Sequence, residues 1–540
     1  MAELTTPRAG ASLRALVACV ALSVLHTWPL AADLDGQSRL DNADSALNTW
    51  IVSWVAEALP RDPAHVFDAP IFHPERHTLA YSESLIAQGA MAAPLRAAGL
   101  SPTATYNLLV IVGLALSAWA MWRLVASWTG DEWAGALAGA AFAFNAHSLT
   151  RFGQIQGLHL EFIPIVLHAV DRLAVRTRPR DALLLAVGIA LVGLTSVYLL
   201  VFVAGAAVAG MLARAAEWRD RSARAGALTL GGVAMGGLLL TPMLLPYRTL
   251  NADRGFVRPL DEVAHYAATW HDYLATGGRL HYAWWSAPHH TSATSLFPGV
   301  AVLLLAALAW RGPATQRGRV RMLAGITALG VLLSFGPSLP GYALLYDTLS
   351  PFRAIRVASR WGVLWLIGLA GLAGLGLAAW RARLAPRTAT IAAAAAFAVV
   401  TGEAIRTPMG FTPTPVLPPV YRALAAVADA VVVEYPIYPS WNFNLNAPYL
   451  VAQLAHRHPI VNGYSGFAPP DYDARVAHLQ TFPADEARRT LDDLGVTHVL
   501  IHRWPLRGVL TPEVRAAIAG APWLREVYAD DDAQLLQVLR

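Results

Sequence analysis

The stretch Arg39-Leu-Asp-Asn-Ala-Asp-Ser-Ala-Leu-Asn-Thr-Trp-Ile-Val-Ser-Trp54 places two carboxylates and an amide directly before an amphipathic run. After these polar residues, apolar side chains recur at helical spacing, and polar side chains occupy the other face. Trp50 and Trp54 are of the residue type that favours the headgroup region of a membrane. The stretch therefore predicts a helix along a membrane surface, with acidic residues at its N-terminus.

The three polar residues Asp41, Asn42 and Asp44 have two interpretations. One of them would cap the helix, because a side-chain oxygen can accept hydrogen bonds from the first-turn N–H groups. A cap needs one such residue, so the second interpretation adds chemistry at the remaining carboxylates. The sequence leaves both interpretations open.

The composition is that of a membrane protein. The chain has 540 residues, of which 55% are hydrophobic and 14% charged, whereas soluble domains carry about 25% charged residues. The net charge of +5 gives no reason to expect a nucleic-acid partner. The single cysteine, Cys19, lies in the first apolar segment, so we expect neither a disulfide nor a thiolate metal site.

Apolar windows near the bilayer-spanning length predict about eleven transmembrane helices. The windows are 13–31, 104–124, 133–144, 158–173, 182–212, 225–245, 295–310, 322–335, 361–380 and 388–400. The window 182–212 is long enough for two helices that turn near Ser196. For the first window, a cleaved signal peptide is the alternative.

Arginine clusters predict the orientation in a bacterial inner membrane. Arginines gather in four short loops, near 176–180, 214–224, 311–321 and 381–387. The positive-inside rule places these loops and the N-terminus in the cytoplasm. Three long loops are then external, namely 32–100, 247–294 and 336–360.

The composition changes after the last window. Proline and charged residues return, and the short apolar runs 430–435 and 497–502 are typical of buried strands. We therefore expect a membrane domain over 1–403 and a small extracytoplasmic α/β domain over 404–540. In the latter, Asn462-Gly-Tyr-Ser-Gly-Phe467 follows a strand-like run, and a glycine-rich turn is sufficient to explain it.

Three segments of the first external loop carry a resemblance. They are Asn42-Ala-Asp-Ser-Ala-Leu-Asn-Thr-Trp-Ile-Val-Ser-Trp54, Phe67-Asp-Ala-Pro-Ile-Phe-His-Pro74 and Thr78-Leu-Ala-Tyr-Ser-Glu83. In this order after a first membrane helix, they resemble a bacterial branch of the C-type (GT-C) glycosyltransferases. The resemblance covers most of the membrane part and is clearest before Asp171. It implies a polytopic enzyme that takes a sugar from a polyprenyl-phosphate carrier.

The resemblance also implies a catalytic carboxylate, which maps best onto Asp44, with Asp41 as the second choice. The loop departs from better-known branches, because it has no clear adjacent Asp-Glu pair. A carboxylate suits the reaction, since a base must take the proton of the acceptor hydroxyl as C1 is attacked. The implied activity is inverting hexosyl or pentosyl transfer to an extracytoplasmic lipid, glycan or protein.

Three arginines fall on the external side, against the positive-inside trend. Arg353, Arg356 and Arg360 have the spacing i, i+3, i+7, which predicts one helical face at the membrane entrance. Guanidinium groups match phosphate oxygens, so these residues are candidates for binding the carrier phosphate. Snorkelling to lipid headgroups is the alternative.

A second polar set follows the window 133–144. His147, Arg151 and Gln154 would contact sugar hydroxyls or phosphate, or form an ordinary polar turn. Glu83 is a further substrate-binding candidate. We expect no metal site, because no histidine has ligand spacing with a third ligand nearby. A divalent cation held by Asp44 and Glu83 is the alternative.

The rival function is a lipid or polysaccharide transporter, or an assembly factor without catalysis. A transporter should show repeats, interrupted helices and charges at mid-membrane depth. The sequence shows few buried charges and no repeat, and its polar residues gather in external loops. It therefore favours an enzyme whose partners are a lipid-linked sugar donor and membrane lipids. We further expect Asp44 and the three arginines to face one external pocket.

Overall fold

The computed structural model describes residues 9–255, 257–503 and 510–540, which are mainly helical. The helices are α1 (Ala9–Thr27), α2 (Ala43–Arg61), α3 (Ile86–Ala97), α4 (Pro102–Thr129), α5 (Glu132–Ala143), α6 (Ile163–Arg176), α7 (Pro179–Thr195), α8 (Val197–Ala213), α9 (Ala215–Trp218), α10 (Ser222–Leu239), α11 (Thr241–Arg254), α12 (Leu260–His265), α13 (Arg279–His281), α14 (Val300–Leu308), α15 (Arg317–Ser334), α16 (Tyr342–Thr348), α17 (Ser350–Arg353), α18 (Val363–Arg381), α19 (Pro386–Ala404), α20 (Val420–Ala425), α21 (Ala447–His456), α22 (Tyr472–Leu479), α23 (Asp485–Asp493) and α24 (Pro512–Gly520). The strands are β1 (Gln37–Ser38), β2 (Thr412–Pro413), β3 (Val432–Tyr435), β4 (His498–His502), β5 (Leu524–Ala529) and β6 (Ala533–Val538).

The chain divides into two compact units. The first unit consists of the described residues of Met1–Asp33, Asn107–Leu245 and Gly255–Gly410. The second unit consists of those of Leu34–Tyr106, Pro246–Arg254 and Phe411–Arg540. Residues of the first predicted external loop therefore share a unit with the C-terminal residues, and the predicted domain bounds 1–403 and 404–540 stay a prediction.

The helices include spans of membrane length. Within the described residues, Ala9–Thr27, Pro102–Thr129 and Ala358–Arg381 are long and apolar enough to cross a membrane, by length and composition. The pair Val197–Ala213 and Ala215–Leu239, bent by 68°, makes a fourth if it is one span. These spans agree with a polytopic membrane fold, and the number of about eleven stays a prediction.

The long apolar window 182–212 does form two helices. α7 ends at Thr195, and α8 begins at Val197. Between them, the Ser196 hydroxyl accepts a hydrogen bond from the backbone N–H of Leu199 at 3.2 Å and so caps α8. The predicted turn near Ser196 is confirmed.

Helix α18 forms the core of the first unit, where it packs against α5, α14 and α15. Its glycines permit this close packing, as in other membrane helix pairs. A Cβ atom at Gly376 would lie 1.8 Å from the carbonyl oxygen of Leu305, and one at Gly368 would lie 2.0 Å from the Thr327 hydroxyl. Larger side chains at these positions would force the helices apart.

The second unit contains a four-stranded sheet in the order β3-β4-β6-β5. β3 runs parallel to β4, and the other two pairs are antiparallel. β3 and β4 coincide with the predicted runs 430–435 and 497–502, because consecutive buried apolar residues are typical of a strand covered on both faces. Both strand predictions are confirmed.

Candidate active site

Residues 41–45 show which of the polar side chains caps the predicted surface helix. Asn42 is the N-cap of α2, and its side-chain oxygen accepts a hydrogen bond from the backbone N–H of Ser45 at 3.2 Å. Asp44 lies in the first turn of the helix and accepts a hydrogen bond at Oδ1 from the hydroxyl of Tyr464, at 2.6 Å. The cap is therefore provided by the amide, and the Asp44 carboxylate has a separate partner.

Asp41, the second-choice carboxylate, has a surface environment. Its side chain is exposed and accepts hydrogen bonds from Arg39 and from the Thr412 hydroxyl, each at 3.3 Å. An exposed ion pair of this kind contributes little energy and fixes the carboxylate weakly. Of the two predicted carboxylates, Asp44 has the better-defined geometry.

The partner of Asp44 is held by a rigid segment of the second unit. The Asn462 side chain accepts from the backbone N–H of Glu434 at 2.7 Å and donates to its carbonyl oxygen at 2.8 Å. Asn446 donates to the carbonyl oxygen of Gly463 at 3.0 Å. The turn over 462–467 is thus more than a connection, because it carries Tyr464 to Asp44. No pattern in the sequence predicted this contact, because its two residues lie 420 positions apart.

The second segment of the resemblance packs beside that turn. Phe72 is buried, and its ring contacts those of Tyr81, Tyr472 and Phe443 at centroid distances of 5.8, 5.2 and 6.5 Å. Its backbone N–H donates to the carbonyl oxygen of Asn462 at 3.1 Å. The aromatic side chains of the first loop therefore support the segment that carries Tyr464.

Glu83 is a half-buried residue of the same unit. It follows the short helix Thr78–Tyr81, and the carbonyl oxygen of its neighbour Ser82 accepts a hydrogen bond from the Tyr247 hydroxyl at 2.8 Å. The structure places Glu83 in an ordered loop, and its role in substrate binding stays a prediction.

The expectation that Arg353, Arg356 and Arg360 share one helical face is wrong. Helix α17 ends at Arg353, and residues 354–357 are not helical. The carbonyl oxygen of Arg353 accepts from the backbone N–H of Arg258 at 3.0 Å, so a tertiary contact replaces the next helical hydrogen bond.

The three arginines consequently have different environments within the first unit. Arg353 donates to two backbone carbonyl oxygens of α16, at 3.1 and 2.7 Å. Arg356 forms an ion pair with Glu262 at 2.9 Å and lies over the ring of Tyr266. Arg360 lines a pocket, which leaves it as the best placed of the three to bind an anion.

We call this pocket the arginine pocket. It is open to the surface, and its space of about 420 Å³ includes solvent. Its polar lining consists of His147, Arg151, Gln154, Gln156, Ser196, Tyr198 and Arg360. The structure therefore brings together the three predicted residues His147, Arg151 and Gln154 with Arg360. Tyr198, which sequence analysis did not select, lies under the Arg360 guanidinium, whose central carbon is 5.3 Å from the ring centre.

Charge is concentrated in the arginine pocket. Arg151 and Arg360 both donate to the side-chain oxygen of Gln154, at 3.0 and 3.4 Å. Burial, together with the charges of Arg151 and Arg360, holds the pKa of His147 well below its ordinary value. His147 is therefore a neutral imidazole at pH 7, and the pocket's positive charge comes from its arginines.

A metal site is not built by the residues that the structure describes. In these ranges, no three His, Cys, Asp or Glu side chains are grouped closely enough to hold a metal ion. The alternative of a divalent cation held by Asp44 and Glu83 stays a prediction.

The expectation of one pocket that contains both Asp44 and the arginines stays a prediction. Asp44 belongs to the second unit, and Arg360 belongs to the first. The candidate site is therefore described as two separate groups of residues. Asp44 and Tyr464 belong to the second unit, and the residues of the arginine pocket belong to the first.

The similarity of this chain to known proteins is found at the level of structure. No protein-family model matches the sequence, and no curated protein matches it. The chain is similar to the arabinofuranosyltransferase AftD from Mycobacteria, with a TM-score of 0.60 and 19% identity over 100% of this chain and 42% of AftD. It is also similar to ArnT from Cupriavidus metallidurans bound to undecaprenyl phosphate, with a TM-score of 0.50 and 11% identity over 98% of each chain. The chain thus spans less than half the length of AftD.

At such low sequence identities, the TM-scores of 0.60 and 0.50 establish a shared fold and nothing more. Both structures are of C-type glycosyltransferases, and they confirm the fold that the first-loop resemblance implied. The chain has the fold of the C-type (GT-C) glycosyltransferases.

Proposed function

We propose that the chain is a membrane glycosyltransferase that moves a sugar from a polyprenyl-phosphate carrier to an extracytoplasmic acceptor. The GT-C fold supports the general kind of enzyme. The ArnT structure, which contains undecaprenyl phosphate, supports a lipid-linked donor. The acceptor is a hydroxyl group of a lipid, glycan or protein.

The proposed reaction is a single displacement at the sugar C1. The acceptor oxygen attacks C1 as Asp44 takes the hydroxyl proton, and the bond between C1 and the phosphate oxygen breaks. The leaving polyprenyl phosphate keeps the electron pair of that bond. One displacement inverts the configuration at C1, so an α-linked donor gives a β-linked product.

The role of base rests on one observation, which is that Asn42 and Asp44 have different hydrogen-bond partners. The Asn42 side chain accepts a hydrogen bond from the Ser45 N–H at the helix N-terminus, and the Asp44 carboxylate accepts one from the Tyr464 hydroxyl. A side chain that only capped α2 would not need this partner.

The arginine pocket is proposed to bind the carrier phosphate. Two guanidinium groups that donate to a single amide oxygen can donate to phosphate oxygens in the same way. Fixed positive charge of this kind stabilises the leaving phosphate as it becomes more negative. In this proposal Arg360 and Arg151 bind the phosphate, while Arg353 and Arg356 support the surrounding loop.

The experiment that tests the function uses the purified chain in lipid nanodiscs with a panel of polyprenyl-phosphate sugars. We expect release of polyprenyl phosphate from one donor, detected by mass spectrometry, when an acceptor is present. Deletion of the gene should also remove one sugar from the cell-surface glycans or lipids. An unchanged glycan profile, with no donor consumed, would favour the transporter or assembly factor.

A further inference from the structure

We infer that Tyr464 is the positioning residue of Asp44, so that the C-terminal part of the chain completes the catalytic apparatus. This inference rests on the proposed function, because it assigns Asp44 the role of base. It goes further by giving residues 411–540 a part in the reaction. The juxtaposition that carries it is a hydrogen bond between residues separated by 420 positions.

The hydrogen bond between Tyr464 and Asp44 is short. The Tyr464 hydroxyl and Asp44 Oδ1 are 2.6 Å apart, which is the length of a hydrogen bond from a hydroxyl to a charged carboxylate. The bond fixes the rotamer of a short side chain at the start of α2. Tyr464 thus keeps the Asp44 carboxylate oriented.

Tyr464 is itself held on several sides. Asn446 and Asn462 are fully buried. Asn446 donates to the carbonyl oxygen of Gly463, and Asn462 exchanges hydrogen bonds with the backbone of Glu434 in β3. A Cβ atom at Gly463 would lie 2.4 Å from the Phe72 ring, so the turn approaches this ring as closely as a glycine allows. The ring of Phe443 meets the ring of Tyr464 edge-on at 5.2 Å.

This arrangement is more elaborate than a surface turn requires. The Tyr464 hydroxyl is held against the Asp44 carboxylate by contacts of several kinds. They are the hydrogen bonds of two buried asparagines, the packing of Gly463 on the Phe72 ring and the edge-on contact with Phe443. Each of these contacts lies within the second unit. A polar network of this kind keeps one geometry, because any displacement leaves buried amide groups without partners.

The first test measures the Asp44 carboxylate without any substrate. A water-soluble carbodiimide with a nucleophilic amine labels accessible carboxyl groups, and peptide mass spectrometry locates the label. In the full-length chain, Tyr464→Phe should label at Asp44 about tenfold faster than wild type at one fixed pH, because the carboxylate is no longer held in place by a hydrogen bond. Tyr435→Phe is the matched control, since its buried hydroxyl donates to the carbonyl oxygen of Leu479 at 2.7 Å. Equal rates of labelling at Asp44 in wild type and Tyr464→Phe would overturn the inference.

The second test uses transfer. In Tyr464→Phe, we expect kcat to fall about tenfold with little change in KM, because the base is less well oriented toward the acceptor hydroxyl. A merely structural role would not separate kcat from KM in this way. Full transfer by Asp44→Asn would reject the proposed function, whereas loss in Asp44→Asn with wild-type behaviour of Tyr464→Phe would reject the inference alone.

Discussion

Arg151 and Arg360 converge on one oxygen atom, the side-chain carbonyl of Gln154, at 3.0 and 3.4 Å. The two guanidinium groups come from separate segments of the first unit, and both line the arginine pocket. An amide oxygen is a neutral acceptor, and a phosphate oxygen in the same position would form two charge-assisted hydrogen bonds. The pair therefore has the geometry of an anion site.

The first prediction concerns this pair. Arg360→Gln and Arg151→Gln should each raise the KM for the polyprenyl-phosphate donor at least about tenfold, because each removes a charge-assisted bond to phosphate. Arg353→Gln is the matched control, since its guanidinium group donates to backbone carbonyl oxygens of α16. Steady-state kinetics over a range of donor concentrations provide the measurement. If Arg353→Gln has the larger effect, the phosphate lies elsewhere.

The second prediction concerns a buried ion cluster between α6 and α15. The Asp171 carboxylate is 3% exposed and bonded to Arg319 at 3.1 Å and to Arg214, which is also 3% exposed. Asp171→Asn should lower the free energy of unfolding by about 3 kcal/mol, since it removes the buried carboxylate that Arg319 and Arg214 share, while Arg214 keeps its ion pair with Glu217. Asp220→Asn, at a side chain 95% exposed, should have no measurable effect. Thermal unfolding in detergent distinguishes these outcomes, and equal melting temperatures for the two variants would contradict the prediction.

The third prediction concerns pH. Burial lowers the pKa of His456 from 6.5 to about 4, with the neighbouring His458 acting in the same direction and Glu434 in the opposite one. The unfolded chain therefore binds a proton between pH 6.5 and 4 that the folded chain does not bind, so the stability falls as the pH falls through this window. At about 1.4 kcal/mol for each pH unit, the full loss is on the order of 3 kcal/mol.

The variant His456→Gln should flatten this pH dependence. His65→Gln serves as its control, because the His65 side chain is 68% exposed. The measurement is the melting temperature of the full chain at pH values from 7 to 4. A slope as steep in His456→Gln as in wild type would show that other groups cause the acid sensitivity.

Local patterns in the sequence predicted local structure well. The helical spacing after Asp44 predicted α2, the polar break at Ser196 predicted the turn between α7 and α8, and two apolar runs predicted β3 and β4. These features depend on side-chain periodicity and on capping by neighbouring residues. Both are properties of a few consecutive residues.

Tertiary contacts explain what the sequence did not predict. The spacing of Arg353 and Arg356 suited one helix, but a backbone hydrogen bond from Arg258 ends that helix. The hydrogen bond between Tyr464 and Asp44 joins residues 420 positions apart, and no short sequence pattern predicts it. A glycine-rich turn looks the same in sequence whether it connects two elements or carries a side chain to a carboxylate.

The most direct test of the central claim is single-turnover transfer by Asp44→Asn beside Asp41→Asn, at saturating lipid-linked donor. Asparagine keeps the size of the side chain but cannot take a proton, and general base catalysis contributes about 10²–10⁴-fold. We predict that Asp44→Asn loses at least about a hundredfold in rate and that Asp41→Asn, whose carboxylate is in an exposed ion pair, stays within about twofold of wild type. Transfer by Asp44→Asn at the wild-type rate would contradict the account.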